Sequence, residues 1–173
     1  MAAASDMDLD TAIPTGSWTL YFHSPDETKW TLNTFKSLGS MHTWRDFWSI
    51  IEALKPEVFN DNMFVIMQDP IPPLWESHQN VYGGCYSLRF PRKDAPEGFI
   101  QYMIAAMLGG INTKTPGNTI NGLSISPKKG INIVKIWNVD SKTYNQASDL
   151  VYGISPMIKE SDVIYVPFLD KKL

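Results

Sequence analysis

The residues best suited to bind a ligand lie in one loop of a chain that contains six tryptophans among its 173 residues. In this loop, which is bounded by prolines and by a Gly-Gly pair, Trp75 is followed directly by Glu76. An indole face stacks on flat rings and attracts cations, and a carboxylate accepts hydrogen bonds from ring N–H groups. The pair therefore suits a cationic purine. Most tryptophans are core residues whose N–H group has a partner, so that alternative stays open at this point.

The other chemically reactive residues do not form a catalytic or metal-binding pattern. The histidines His23, His42 and His78 show no metal-ligand spacing with one another or with Cys85. The sequence contains no phosphate-binding glycine loop, no nucleophile elbow and no dinucleotide fingerprint. Its carboxylates are scattered, and no two of them can be paired as acid and base. We therefore predict a protein that is not an enzyme and that holds neither a metal nor a cofactor.

Composition and charge predict one globular domain in a reducing compartment. The chain is 43% apolar and 12% aromatic, which is typical of a folded domain. Its net charge of −3 excludes a broad polycationic surface, so any contact with nucleic acid should be local. A single cysteine, no signal peptide and no membrane-length apolar run favour the cytoplasm, with the nucleus as a second compartment. We expect a disordered acidic tail over residues 1–12 and a domain over residues 13–173.

The elements that must position these residues are short strands interleaved with helices. Strands are predicted where aromatic and β-branched residues form short runs between Pro, Gly, Asn or Asp. These runs are Trp18–His23, Asn62–Gln68, Cys85–Phe90, Leu123–Ser126, Ile131–Trp137 and Val163–Phe168. Residues 126–130 lie between two of them and predict a hairpin loop with two adjacent cations, Lys128 and Lys129.

Three helices are predicted between the strands. The first begins at Thr43, has a capping box with Asp46 and runs to about Leu54. The second opens at Asp94 and ends before Gly109-Gly110, and the third follows Ser141 toward residue 153. Strands and helices do not alternate one for one, so the pattern favours an α+β domain over a doubly wound fold.

The first helix has a tryptophan near the edge of its apolar stripe. At 100° per residue its core face consists of Phe47, Ile50, Ile51 and Leu54. Trp44 then lies about 70° from the centre of this face and Trp48 about 110° away. An indole exposed on a helix is a candidate contact for a protein partner. The alternative is that a loop or the N-terminal arm covers Trp48.

Several of these features, taken in order, resemble the translation initiation factor 4E family, which binds the mRNA 5′ cap. The resemblance extends from about Pro14 to Phe168. The features that carry it are Trp30, the helix residues Asp46-Phe47-Trp48, the pair Trp75-Glu76, Gly83-Gly84 and the strand end Ile136-Trp137. It implies a single α+β domain with a curved antiparallel sheet, the cap on its concave face and three helices on its convex face.

The resemblance also implies how the cap base is held. Trp30 and Trp75 match the two indoles that sandwich N7-methylguanine, whose positive charge adds a cation–π contribution to stacking. Glu76 matches the carboxylate that accepts hydrogen bonds from guanine N1–H and the 2-amino group, a donor pair that adenine lacks. Trp137 matches the indole beside the N7-methyl group.

The phosphate-binding residues agree less well with the family. Lys128 and Lys129 occupy the hairpin, and Lys135 shares strand parity with Trp137, so these three are the expected phosphate contacts. Ile133 stands where the family has a lysine, and Cys85 replaces an arginine next to Gly83-Gly84. Because lysine offers a point charge rather than a bidentate fork, we hypothesise a weaker or rearranged grip on the triphosphate.

The resemblance implies a protein partner on the opposite face. Trp48 matches the family's dorsal tryptophan, which packs against a short helix of the scaffold initiation factor or of a competing repressor. Trp44 stands where the family has a smaller aliphatic residue and is a second candidate contact, and the arm around Pro14 is a third. Two functions follow: a cap-binding protein that recruits a scaffold for translation initiation, or a regulatory interaction module with weak or lost cap binding.

Overall fold

Seven antiparallel strands form one curved sheet in this computed structural model, which describes residues 8–169. The strands are β1 (Trp18–His23), β2 (Phe35–Met41), β3 (Met63–Gln68), β4 (Gly84–Pro91), β5 (Ile120–Lys128), β6 (Ile131–Asn138) and β7 (Ile164–Pro167). Their spatial order is β2-β1-β3-β5-β6-β4-β7. Each of the six predicted strands is confirmed to within a few residues at its ends, and β5 and β6 form the predicted hairpin.

Strand β2 is the one strand that the sequence pattern did not predict. Its residues, FKSLGSM, alternate weakly and include a glycine in the strand interior, which is typical of a poor strand former. Gly39 has a φ of +139°, which L side chains rarely adopt, and a Cβ atom there would also lie 2.9 Å from Cδ1 of Ile50. The strand forms because it pairs with β1 from end to end, with one register shift between Leu20 and Tyr21.

Two α-helices, α1 (Trp44–Leu54) and α2 (Ala95–Met107), pack on the convex face of the sheet. Alternate strand residues point toward them, as β4 illustrates with Tyr86, Leu88 and Phe90 in the same apolar cluster as Phe99 of α2. The concave face has a smaller cluster. Its buried members are Phe35, Val65, Met67, Cys85, Trp137 and Phe168. The sheet therefore separates a large helical core from a face that is left open to a ligand.

Helix α1 has the predicted capping box. Thr43 is the N-cap and its side chain accepts a hydrogen bond from the Asp46 N–H at 3.3 Å. The Asp46 carboxylate accepts from the N–H groups of His42 and Thr43 at 2.8 and 2.9 Å. These backbone hydrogen bonds lower the pKa of Asp46 below its usual value. The helix begins and ends where the sequence predicts.

The third predicted helix is wrong. After Ser141 the chain forms turns and a single 3-10 turn, Ala147–Asp149. The Asp140 carboxylate accepts from the N–H groups of Lys142 and Thr143 at 2.8 and 3.0 Å, and this local bonding competes with helix formation. The Val151 N–H binds the carbonyl of Ile111 at 2.8 Å, outside any helical pattern. Within residues 8–169 the convex face thus carries two α-helices rather than three.

Residues 8–13 cross the start of α1, and they include positions 8–12 of the predicted disordered tail. The carbonyls of Thr11 and Leu9 accept from the N–H groups of Trp44 and Arg45 at 3.3 and 2.7 Å, and Arg45 forms an ion pair with Asp10. Trp44 packs in the main apolar cluster and is only 2% exposed. Neighbouring residues thus bury Trp44, and its predicted contact with a partner stays a prediction. Residues 1–7 of the predicted tail, and 170–173 of the predicted domain, lie outside the described residues.

Candidate functional site

A cavity of about 230 Å³ on the concave face collects most of the predicted ligand-binding residues. Six of them line it: Trp30, Trp75, Glu76, Lys128, Lys135 and Trp137. The remaining lining residues were not predicted from the sequence, and they are Phe35, Met63, Val65, Pro73, Leu74, Ser124, Ser126 and Phe168. Three indoles, one carboxylate and two ammonium groups thus converge on one space, which we call the concave cavity.

Trp30 lies in the β1–β2 connection with half of its surface exposed. One face of its indole is stacked on His23, with ring centroids 4.1 Å apart and planes inclined by only 3°. His23 is buried, and its Nε2 atom lies 3.0 Å from the carbonyl oxygen of Lys29. Because His23 covers one face of Trp30, the other face remains for a ligand in the concave cavity.

Trp75 is half-buried in a loop that two asparagines hold in place. The Asn80 side chain donates to the carbonyls of Pro72 and Leu74 at 3.2 and 2.8 Å, both in the segment just before Trp75. Asn121 of β5 donates in turn to Asn80 Oδ1 at 2.9 Å. Both asparagines are buried, so the loop is anchored to the sheet by satisfied polar groups.

The end of this loop approaches the sheet so closely that its glycines are required. A Cβ atom at Gly83 would collide with the backbone carbonyl of Asn138, and one at Gly84 would lie 2.5 Å from the Tyr165 hydroxyl. The Gly84 N–H also donates to Asn138 Oδ1 at 3.2 Å. The Gly-Gly pair thus docks the Trp75 loop onto β6 and β7.

Glu76 projects an exposed carboxylate at the cavity wall. No hydrogen bond or ion pair joins this carboxylate to another residue in the described range 8–169. Its oxygens are free to accept hydrogen bonds from a ligand, and Glu76 directly follows Trp75, whose indole could stack on the same ligand.

Trp137 and Phe168 form the floor of the concave cavity. The Trp137 N–H donates to Ser124 Oγ at 3.3 Å, and the ring is 7% exposed. Phe168 lies 5.2 Å from Trp137 and 6.2 Å from Trp75, measured between ring centroids. Trp137 is therefore a buried residue with a hydrogen-bond partner for its N–H group, and it also lines the cavity.

Two of the three predicted cations reach the concave cavity. Lys135 lies opposite Ser124 and Ser87 in the sheet register, and Lys128 lies at the end of β5. Lys129 occupies the tip of the hairpin and does not line the cavity. Among residues 8–169, no side-chain bond restrains the ammonium group of Lys128 or Lys135.

The opposite face presents the predicted partner residue. Trp48 is half-buried and packs edge-on against Phe47, with ring centroids 5.0 Å apart. The N-terminal arm crosses the start of α1 without burying Trp48 fully, and Pro14 of this arm is exposed. Leu108, at the end of α2, is an additional exposed apolar residue on the helices.

Sequence reasoning missed the residues that support the site rather than line it. His23 was considered only as a metal ligand, and its contact with Trp30 carried no local signal because it forms within the long connection between β1 and β2. Asn80 carried a local signal, since asparagine commonly fixes loops through its side-chain amide. Asn121 and Phe168 carried none, because their contacts with the loop come from distant strands.

We also searched the described part of the chain for metal sites and membrane-spanning helices. No group of three or more His, Cys, Asp or Glu side chains there could hold a metal ion. None of its helices has the length and apolarity needed to cross a membrane.

The sequence matches the family described as Eukaryotic initiation factor 4E over residues 15–165. One similar curated protein is eukaryotic translation initiation factor 4E of Saccharomyces cerevisiae, 25% identical over 126 residues. That alignment covers 69% of this chain and 58% of the yeast protein. This chain therefore aligns with less than two thirds of the yeast protein.

Solved structures of similar fold include complexes with cap nucleotides. Ascaris suum eIF4E-3 in complex with an m2,2,7G cap superposes with a TM-score of 0.67 at 18% identity, over 78% of this chain and 76% of that one. Caenorhabditis elegans eIF4E-3, in complex with the 4E-binding protein Mextli and a cap analog, gives 0.66 at 20% identity, over 75% of each chain. At these identities the structures establish the fold alone. Since the family match spans most of the domain, we conclude that this chain belongs to the eukaryotic initiation factor 4E family.

Proposed function

We propose that this protein binds the N7-methylguanosine 5′ cap of mRNA in the concave cavity and recruits a scaffold protein through the surface around Trp48. The observation that carries the proposal is the convergence of Trp30, Trp75 and Glu76 on one cavity. The family consists of translation factors rather than enzymes, and the site contains the groups for recognition without a catalytic pair.

The base would bind by stacking between Trp30 and Trp75. N7-methylation gives guanine a positive charge, and an electron-rich indole face attracts a cation. Each base–aromatic stack contributes about 1–3 kcal/mol, so the two indoles would supply most of the affinity for the base. Trp137, which lines the cavity but is 7% exposed, would contact the methyl group rather than stack on the base.

Glu76 would give selectivity for guanine. Its two carboxylate oxygens match the parallel N1–H and 2-amino donors of guanine, and its charge complements the methylated base. The absence of other hydrogen bonds to this carboxylate within residues 8–169 supports the assignment, because binding would not have to break an existing contact.

Lys128 and Lys135 would bind the phosphates. Both line the concave cavity, and both ammonium groups lack a restraining partner among the described residues. Lys129, at the hairpin tip, would act only at longer range, where salt screens the interaction.

A short amphipathic helix is the partner that would fit the convex surface. Trp48 offers the apolar anchor that helix-in-groove recognition requires, and exposed Pro14 lies on the nearby arm. The similar C. elegans protein was solved with the 4E-binding protein Mextli, which makes a peptide from such a protein the appropriate probe.

Retention on N7-methyl-GTP resin tests the proposal. We expect wild-type protein to be retained in the presence of excess unmethylated GTP, and Trp75→Ala to be lost from the resin. Trp48→Ala is the matched control, because it removes an indole of the same size from the opposite face. Failure of folded wild-type protein to bind the resin would contradict cap binding.

The second candidate function is an interaction module of the same fold with weak cap binding. It is favoured by one observation: among residues 8–169, two lysines and no arginine line the concave cavity. Binding of a 4E-binding-protein peptide by a wild-type protein that fails on the cap resin would establish this alternative.

A further inference from the structure

Arg89 lies on the concave face of the sheet, outside the cavity lining. Along β4, Tyr86, Leu88 and Phe90 point into the helical core, whereas Cys85 belongs to the concave cluster. Side chains four residues apart in a strand share a face, so Arg89 projects from the same face as Cys85. Unlike Cys85, it is exposed.

The strand register places Arg89 at the border of the concave cavity. Arg89 is paired with Ile133 of β6, which is paired with the cavity residue Ser126 of β5. Neighbouring strands lie about 4.8 Å apart, so the Cα atoms of Arg89 and Ser126 are about 10 Å apart. Lys135, another cavity residue, is the diagonal neighbour of Arg89, a relation in which long side chains still reach each other.

The guanidinium of Arg89 has no protein partner within residues 8–169. The chain has three arginines, and the other two form ion pairs, Arg45 with Asp10 and Arg92 with Asp61. Ile133, which lies between Arg89 and Ser126, carries no charge. Arg89 is therefore the positively charged residue in the row of paired residues Arg89, Ile133 and Ser126.

The size of the concave cavity leaves the rest of a bound cap outside it. At about 230 Å³ the cavity has room for a flat ring system, below the ~300 Å³ that marks the smallest usual sites for drug-sized ligands. Phosphates attached to that ring would lie outside it, near the two lysines of the cavity lining, and Lys135 is the one next to Arg89 in the sheet register. An arginine fork binds phosphoryl oxygens in a bidentate manner, which a lysine cannot do.

We propose that Arg89 binds a phosphate group beyond those held by Lys128 and Lys135. That group is either a distal phosphate of the cap's triphosphate bridge or the first phosphodiester of the attached RNA, and both present the same phosphoryl oxygens. The inference rests on the proposed function, since it requires the base in the concave cavity.

Calorimetric titration of Arg89→Gln with three ligands tests the inference. The ligands are N7-methyl-GMP, N7-methyl-GTP and a capped trinucleotide. We expect unchanged affinity for the monophosphate and a loss of about two- to fivefold for at least one longer ligand, the size of one exposed charge pair. The salt dependence of binding should also weaken, by about 0.7 in the logarithmic slope for one phosphate contact.

Arg92→Gln is the matched control, since it removes an arginine whose exposed ion pair with Asp61 lies outside the site. Arg89→Lys should retain part of the affinity. A loss first seen with N7-methyl-GTP assigns Arg89 to the bridge, and one seen only with the trinucleotide assigns it to the RNA. Equal affinities of wild type and Arg89→Gln for all three ligands, or an equal loss for all three, would overturn the inference alone. Absence of binding by wild type would overturn the proposed function with it.

Discussion

At the scale of single residues, the accessible face of Trp30 depends on His23. The indole is 51% exposed, and its stack on His23, at 4.1 Å, is its closest aromatic contact. We expect His23→Ala to weaken N7-methyl-GTP binding by about two- to tenfold, the range that corresponds to the 0.5–1.5 kcal/mol of an aromatic pair. His23→Phe should restore most of the affinity, because a phenyl ring can provide the same platform. Tryptophan fluorescence quenching on titration measures both.

A double-mutant cycle separates this positioning role from a general loss of stability. In a Trp30→Ala background His23 has no indole to stack on, so His23→Ala should no longer change the affinity for N7-methyl-GTP. An undiminished effect of His23→Ala in that background would contradict the role.

The same residues show what sequence reasoning can and cannot reach. Trp75 and Glu76 could be singled out because the two chemical groups are adjacent in the chain. Asn121 could not, because it reaches the Trp75 loop from 41 residues beyond its partner Asn80, and only the strand pairing brings them together. Phe168 was predicted as the end of a strand, but its place between two indoles depends on β7 pairing with β4.

At the scale of elements, the start of α1 is fixed by a charge. Asp46 accepts two backbone N–H bonds, which lower its pKa in the folded state relative to the unfolded chain. Its contribution to stability is therefore fully present above the unfolded-state pKa of about 3.9 and is lost as the pH falls through the lower folded-state pKa. At neutral pH we expect Asp46→Asn to lower the free energy of unfolding by about 0.3–1 kcal/mol.

Urea unfolding of wild type and Asp46→Asn at neutral and acidic pH measures this contribution. The difference between the two proteins should shrink on acidification, because the wild-type carboxylate becomes protonated. Asp94→Asn is the control, since Asp94 stands at the start of α2 but makes no side-chain cap hydrogen bond. If the difference in free energy of unfolding between wild type and Asp46→Asn were the same at acidic pH, the stabilisation would not come from the charge of Asp46.

Local sequence patterns predicted α1 correctly but predicted a helix after Ser141 that does not form. The capping box and apolar stripe of α1 act within the helix itself, so the sequence contains them. The third predicted helix had a stripe but is rich in Ser, Asn and Asp, whose side chains bond locally, as Asp140 does. Strand β2 shows the opposite case, because a pattern too weak to predict a strand is overridden by pairing with β1.

At the scale of the whole molecule, the sheet keeps two surfaces apart. The concave cavity and the Trp48 surface lie on opposite faces, and each faces its own apolar cluster. Ligand contacts on one face therefore need not disturb packing on the other. Three tryptophans test this division, since Trp75 lies in the cavity wall, Trp48 on the convex surface and Trp44 in the core.

Changing each of these tryptophans to alanine should affect a different combination of cap binding, peptide binding and stability. Trp75→Ala should no longer bind the cap resin but should still bind a 4E-binding-protein peptide. Trp48→Ala should still bind the resin but not the peptide, and its Tm should fall modestly because Trp48 packs on Phe47. Trp44→Ala removes a side chain that is 2% exposed, so it should lower the free energy of unfolding by about 3–5 kcal/mol and weaken both activities together. Thermal unfolding, resin retention and peptide titration on the same preparations give the three readouts. If Trp44→Ala instead kept its Tm and lost only the peptide, Trp44 would belong to the partner surface and the division argued from burial would be wrong.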